Sequence, residues 1–358
     1  MRAITPVRRL NRAEWEEANM LSAVRLMALV MLCAVAGRAA LAQDEVDFFR
    51  NRTVKLMIAF EPGGSYDLYA RLAATHLPRH IPGQPIMTVQ YHPGAGGLVG
   101  ILHFAEKAAQ DGTELAILPR DVAINQRLRP ETAKYDARRF NWIGTLATYP
   151  GVMFIAARTG VKSAEDLRRI SVVAGSWGPT SETFITPTLL NALADTKFKI
   201  VSGYRGGPDV DLAVERGEAD GRMASWTLLK TQRAQWLRDK FVVIPFQAGV
   251  TSHPELADVP LIGTLAKTEE GRRIFEFQNS DAGIGWSVVA PPNVPAERVA
   301  LLRRAFDDTI ADPEFRADAQ KRGLEITPAS GKELEEIVSR TIATPTEALA
   351  KLKAIIAN

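Results

Sequence analysis

The chemistry most available in this sequence is anion binding by backbone N–H groups. Gly63, Gly64 and Ser65 in FEPGGSYDLYAR, and Gly94, Ala95, Gly96 and Gly97 in YHPGAGGLVG, each follow a short β-rich run (Val54 to Phe60, Ile86 to Tyr91). Apolar residues at helical spacing come next, so each stretch reads as strand, tight turn and helix. Such a turn aims the unpaired N–H groups of a helix N-terminus off the end of a strand, where the helix dipole also favours negative charge. Glycine suits it because it reaches positive φ and lets a ligand approach the backbone. Two of them on neighbouring parallel strands would rim a pocket. Asp67 lies four residues after Gly63, either as a helix-start acid or as an acceptor for a ligand hydroxyl, amine or bound water. Further turns at Gly175-Ser176-Trp177-Gly178 and at Gly203-Tyr204-Arg205-Gly206-Gly207 add Arg205, the exception among turns poor in cationic side chains. Tyr66, Trp177 and Tyr204 fall in these turns, where an aromatic ring can stack on a ligand.

Other chemistries fit less well. GAGGLVG has Val99 where a dinucleotide fingerprint needs its third glycine, and no P-loop lysine follows. Ala174-Gly175-Ser176-Trp177-Gly178 resembles a nucleophile elbow between a strand and a helix. A secreted serine hydrolase using Ser176 is therefore the alternative reading. It would need His253, with Asp258 or Asp281 as orienting acids that break or reverse the usual acid-then-histidine order. His76 and His80 are spaced i, i+4, but Pro78 disrupts the helical face that metal ligation needs. No metal, no cofactor and no catalytic residue is expected.

The elements that must carry these turns are legible along the chain. Strands are expected at Glu114–Leu118, Asn141–Ala147, Val152–Ala157, Ser171–Ala174, Phe198–Val201, Ala219–Ala224, Val242–Phe246 and in GWSVVA from Gly285. Helices alternate with them, Ser163 and Asp166 marking one start, and the end of the chain reads as helices Pro295–Ile310, Pro313–Lys321 and Lys332–Ile356. That alternation argues for an α/β fold of mostly parallel sheets with helices on both faces. Breaks at Tyr149-Pro150-Gly151 and at Ser280 to Gly285 are candidate crossings between two units.

With 358 residues and 46% apolar content, the chain can bury a large core. Its formal charge of +3 comes from a leader: residues 1–42 hold six Arg against three Glu, leaving 38 basic and 38 acidic residues beyond. Nothing argues for a nucleic-acid partner. Arg25, the apolar run Leu26 to Gly37 and Ala40-Leu41-Ala42 form the parts of a signal peptide cleaved after Ala42, with translation starting at Met1 or Met20. The run of about a dozen apolar residues is short of the roughly 20 that span a bilayer. Cys33, the one cysteine, lies in that run, behind Leu32 where a lipoprotein signal wants a small residue. Export as a soluble monomer is expected.

FEPGGSYDLYAR, YHPGAGGLVG, AQDGTELAIL, GYRGG with ERGEADG, and APPNVPAERVALLRRAF resemble, in that order, the substrate-binding proteins of tripartite tricarboxylate transporters, the Bug family of periplasmic receptors. The resemblance covers essentially the whole mature chain. It implies a two-lobed periplasmic binding-protein fold of type II with a central cleft. Lobe 1 would hold residues 43–148 plus 285–358, and lobe 2 residues 149–284. It implies a periplasmic receptor for a small organic acid, working with the membrane components of the transporter. By the resemblance, the family's first loop falls on Pro62, Gly63, Gly64 and Asp67, its second on Pro93, Gly94, Ala95, Gly96 and Gly97, its second-lobe loop on Gly175, Ser176, Trp177 and Gly178, and its Y-x-G turn on Tyr204, Arg205 and Gly206; Ser65, Tyr66 and Thr180 beside these turns complete the expected ligand contacts. Pro179-Thr180-Ser181 departs from the small Gly-Ser continuation of the family's second-lobe loop.

Overall fold

The computed structural model describes residues 48–249, 251–344 and 346–357. The leader, its cleavage site after Ala42 and Cys33 lie outside the described residues. The chain opens as expected. β1 (Thr53–Ile58), α1 (Ser65–His76), β2 (Ile86–Tyr91) and α2 (Leu98–Lys107) form a parallel unit, with β3 (Glu114–Ile117) on the other side of β1. α1 buries Tyr69, Ala70, Leu72, Ala73 and His76, the i, i+3, i+4, i+7 stripe of an amphipathic helix. α3 (Val122–Leu128) and β4 (Asn141–Thr145) follow.

The chain then enters a second sheet through β5 (Gly151–Ala156), β6 (Val172–Ser176), α4 (Glu182–Ala194), β7 (Phe198–Ser202), α5 (Gly207–Arg216) and β8 (Gly221–Ser225). α6 (Trp226–Gln232), α7 (Ala234–Arg238), β9 (Val242–Ala248) and α8 (Glu269–Gln278) complete it. β10 (Ser287–Ala290), α9 (Ala296–Ala311), α10 (Pro313–Lys321), β11 (Ala329–Ser330) and α11 (Gly331–Ala343) rejoin the first sheet, and α12 (Thr346–Ala357) ends the fold.

The strand orders are β11-β4-β10-β3-β1-β2 and β7-β6-β8-β5-β9. The fold is α/β with two sheets, but the sheets are mixed rather than mostly parallel. β5 is antiparallel to both β8 and β9, and β10 to both β3 and β4. Both are strands by which the chain enters a sheet from the other one, so their direction follows from the crossing rather than from a βαβ repeat.

The two crossings run side by side. Tyr149 N–H donates to the Ala282 carbonyl at 3.0 Å and Trp286 N–H to the Ala147 carbonyl at 3.2 Å. Gly285 has φ +50, and a Cβ there would sit 1.8 Å from the Ala147 oxygen, so glycine is what permits the contact. Trp286 stacks on Tyr69, with ring centroids 4.0 Å apart, and joins this strap to the core of the first sheet.

The single helix expected over Lys332–Ile356 is two. Thr344 precedes Pro345 and leaves the helix at φ −56, ψ 127, because the proline ring disfavours helical backbone in the residue before it. α12 does not stay with the first sheet: Leu349, Leu352 and Ile356 are buried beside Leu189, Leu190 and Leu193 of α4. A third connection therefore ties the two sheets together.

Candidate functional site

The carboxyl ends of β1 and β3 face those of β6 and β8, and the loops beyond them close on each other. In an open α/β sheet ligands bind at these ends. Two small cavities lie here and share Phe60, Tyr66, Tyr149 and Trp177. One, of about 50 Å³, is bordered also by Glu61, Gly64, Ser65, Gly206, Gly207 and Arg222. The other, of about 30 Å³, is bordered by Gly96, Arg120, Asp121, Ser181 and Glu182. Residues of both sheets line each one, so the cleft is closed. A wider concavity of about 640 Å³ lies at the crossings around Thr148, Gln247, His253 and Glu325. It opens to solvent at the carboxyl end of β9, shares Tyr149 with the two small cavities, and its rim is held by the Glu325–Lys230 ion pair and a Glu325–His253 hydrogen bond.

Arg120 organises the charge of the cleft. It is 4% exposed, hydrogen-bonds Asp281, and lies 2.8 Å from Glu182 and 4.6 Å above the Tyr149 ring. Its backbone N–H donates to the Tyr66 hydroxyl at 3.1 Å. Burial opposes its charge, but Asp281 and Glu182 more than reverse that, and its pKa stands above the usual range. Burial, and then the Asp281 charge, pushes the Asp121 carboxyl up to about 7. Burial pushes Asp281 up to about 6, against the pull of Arg120. On the second sheet, buried Arg222 donates to Asp211 at 2.7 Å and to the Met223 carbonyl at 3.0 Å, with its guanidinium 5.8 Å from the Trp177 ring centroid.

The turns are built differently from one another. Asp67, 5% exposed, accepts from Gly63 N–H at 2.9 Å, Arg71 Nε at 2.8 Å and the Tyr91 hydroxyl at 2.7 Å. Its carboxylate shapes its own turn and the neighbouring strand. The second turn has positive φ at Gly94, Ala95, Gly96 and Gly97. Against it packs the loop after β6: Thr180 Oγ1 donates to the Ala95 carbonyl at 2.7 Å, and a Cβ on Gly96 would stand 2.3 Å from that same oxygen.

No protein-family model matches the chain. A protein of Cupriavidus necator described as "UPF0065 protein in gbd 5′region" is 23% identical over 329 residues, which cover 89% of this chain and 93% of that one. The solved structure of the periplasmic binding protein BugD superposes with a TM-score of 0.68 at 19% identity, covering 84% of this chain and 97% of BugD. The fold is that of the Bug-type periplasmic binding proteins. The structure of R. palustris Rpa4515 with adipate shares it, with a TM-score of 0.66 at 21% identity over 85% of this chain and 97% of that one. The resemblance read from the glycine turns thus holds along the chain.

Within this Bug fold, the residues expected at the ligand divide in two. Gly64, Ser65, Tyr66, Gly96, Trp177 and Gly206 line the two small cavities. Gly63, Asp67, Gly94, Ala95, Gly97, Ser176, Gly178, Thr180, Tyr204 and Arg205 do not. Arg205 is largely exposed and pairs with Asp209 at 3.1 Å. Ser176 is fully buried among Gly178, Ser181 and Thr183, while the His253 ring bonds Glu325 and the Glu255 backbone. No histidine among the described residues hydrogen-bonds Ser176. Sequence reasoning missed Phe60, Arg120, Asp121, Glu182 and Arg222. The signal for the first three was available: they directly follow β1 and β3, where the strand-end rule places a ligand.

Proposed function

We propose that this protein is a periplasmic solute receptor that closes on a small organic carboxylate and delivers it to the membrane components of a tripartite tricarboxylate-type transporter. The observation that carries the reading is the cavity between the sheets, where the N-termini of α1 and α5 converge at Gly64-Ser65 and Gly206-Gly207. Two helix N-termini from opposite sides offer unpaired N–H donors and two favourable dipoles to one carboxylate. The adipate bound to Rpa4515, a protein of the same fold, supports the ligand class. The paired crossings at Ala147–Tyr149 and Ala282–Trp286 are the hinge about which the lobes open. The leader, cleaved after Ala42, carries the chain to the periplasm.

A thermal-shift screen of the mature protein against small mono- and dicarboxylates tests this. A ligand at about 100 times its Kd raises stability by roughly 2.7 kcal/mol. Small-angle scattering should show a smaller radius with the hit than without it. A screen in which no carboxylate shifts the melt sinks the reading, and hydrolysis of generic esters lost in Ser176→Ala would replace it with the hydrolase.

A further inference from the structure

Four polar side chains, Lys230, His253, Glu255 and Glu325, meet beside the crossings, where the parts of the chain built on the two sheets come together. Glu325 belongs to the first. It lies between α10 and β11, its carbonyl accepts from the Tyr69 hydroxyl of α1 at 2.8 Å, and Thr327, two residues on, donates its N–H to the Leu146 carbonyl at 3.2 Å. Thr148 N–H in turn donates to Thr327 Oγ1 at 2.9 Å, so the segment is pinned to the crossing strand. The other three belong to the second sheet. Lys230 is on α6, after β8, while His253 and Glu255 follow β9 in a loop held by buried Gln247, which accepts from His253 N–H at 2.8 Å and donates to the Leu256 carbonyl at 2.8 Å.

Each carboxylate oxygen of Glu325 meets a group of the second sheet. Lys230 bonds one, and the His253 ring bonds the other at 3.1 Å. The far side of the ring fixes its role: Nδ1 accepts from Glu255 N–H at 3.2 Å, so the hydrogen sits on Nε2 and faces Glu325. Lys230 is held from behind by Glu255, which accepts from its ammonium and from Trp226 Nε1, each at 2.6 Å. Burial works against both charges, yet Glu325 stays below its ordinary range because Lys230 and His253 favour its charge, and Lys230 stays above its own because Glu255 and Glu325 do. None of the four lines either small cavity. His253, Glu255 and Glu325 border the wide concavity that opens to solvent.

We propose that Glu325 is a latch, whose bonds to Lys230 and His253 hold the two sheets closed on each other without ligand, so that a ligand enters through the minor open fraction in which they are broken. This rests on the receptor reading, whose hinge it uses, and adds what sets that hinge at rest. One partner rides on each side of the crossings, so rotation about them strains bonds that depend steeply on distance and angle. Closure that the chain's own charges favour also lowers the apparent affinity, in proportion to the fraction of chains that are open. Because the network borders open solvent, salt weakens it.

Small-angle scattering of the purified chain without ligand tests the latch. At low salt the parent should scatter as the closed form, and Glu325→Gln and Lys230→Met should each raise the open-to-closed ratio about tenfold, the scale of one charge-assisted hydrogen bond. The double variant should open little further than Glu325→Gln, because both substitutions remove the same bond. Salt at about 1 M should expand the parent and leave Glu325→Gln unmoved. Glu335→Gln is the control: its partner Arg303 packs on the same sheet, so an ion pair is lost without releasing one sheet from the other. The latch is wrong if both variants keep the parent's radius, if the parent is already as expanded as they are, or if Glu335→Gln expands as much. No ligand enters the measurement, so that failure leaves the carboxylate reading to its own screen, and a screen without a hit leaves the latch to these radii.

Discussion

The turns at Gly63–Gly64 and Gly94–Gly97 each follow a parallel strand of the same sheet and each start a helix, yet they meet different neighbours. The first borders open cavity at Gly64, with its φ of −89 within reach of any residue. The second is covered by Thr180 and Gly178 from the other sheet and holds four consecutive residues at positive φ. A glycine turn is thus a permission for close approach, and what approaches can be a ligand or another loop of the same chain.

Substitutions can break or sharpen that contrast. The largest effect is expected from Gly96→Val, where a β-branched residue at φ +69 meets Thr180 Oγ1 at 2.3 Å. Backbone strain alone costs about 1–3 kcal/mol there, before the clash is counted. Urea denaturation should show the loss, and a variant as stable as the parent would mean that the two loops do not pack. Asp67→Ala should cost about 2 kcal/mol, because Gly63 N–H, Arg71 and Tyr91 lose a shared, buried acceptor. The ligand Kd should change far less than in a residue that lines the cavity; a large Kd change with unchanged stability would return Asp67 to the ligand.

Thr180→Val removes one hydrogen bond to the Ala95 carbonyl and should cost about 1 kcal/mol. Because that bond joins the two sheets, the variant should also show a larger scattering radius without ligand. The Asp121 carboxyl, buried beside the Arg120 cluster, titrates near 7 in the folded chain, well above an ordinary carboxylate. The folded state then holds the extra proton, so this stability is complete below about pH 4 and is lost as pH rises through about 7. The melting temperature of the parent should fall relative to Asp121→Asn across that window, and parallel profiles would refute the burial of that charge. The smallest effect is expected from Gly64→Ala. With no neighbour within 4 Å and ordinary backbone angles, it should move stability by no more than about 0.5 kcal/mol. It should nonetheless weaken ligand binding, since the added methyl projects where nothing of the protein stands.

Much of the fold was legible because local pattern carried it. Apolar runs ending at Pro-Gly and followed by helical spacing could form only strand, turn and helix, and Ser163 with Asp166 announced a helix start that the structure keeps, with Asp166 accepting from Ser163 N–H at 3.0 Å. Asp166 is held down to about 2, first by the Lys162 N–H it accepts from. The mixed direction of the sheets and the departure of α12 to α4 were not legible. Strand direction depends on which sheet the chain has come from, and a helix's apolar stripe does not say which core it will meet.

The candidate site divides along the same line. The sequence by itself determined the glycine turns, the alternation of strand and helix, and the aromatic residues beside the turns, because backbone freedom and hydrophobic spacing act over neighbouring residues. Only the tertiary structure decided that Arg120, Glu182 and Asp281 gather from three separate segments around one buried charge. It likewise decided that Thr180 packs against Gly96 while no other segment packs against Gly64. Those outcomes depend on the closure of two sheets whose strand ends are distant in sequence, and no local preference of any residue fixes which groups must share the low-dielectric space between them.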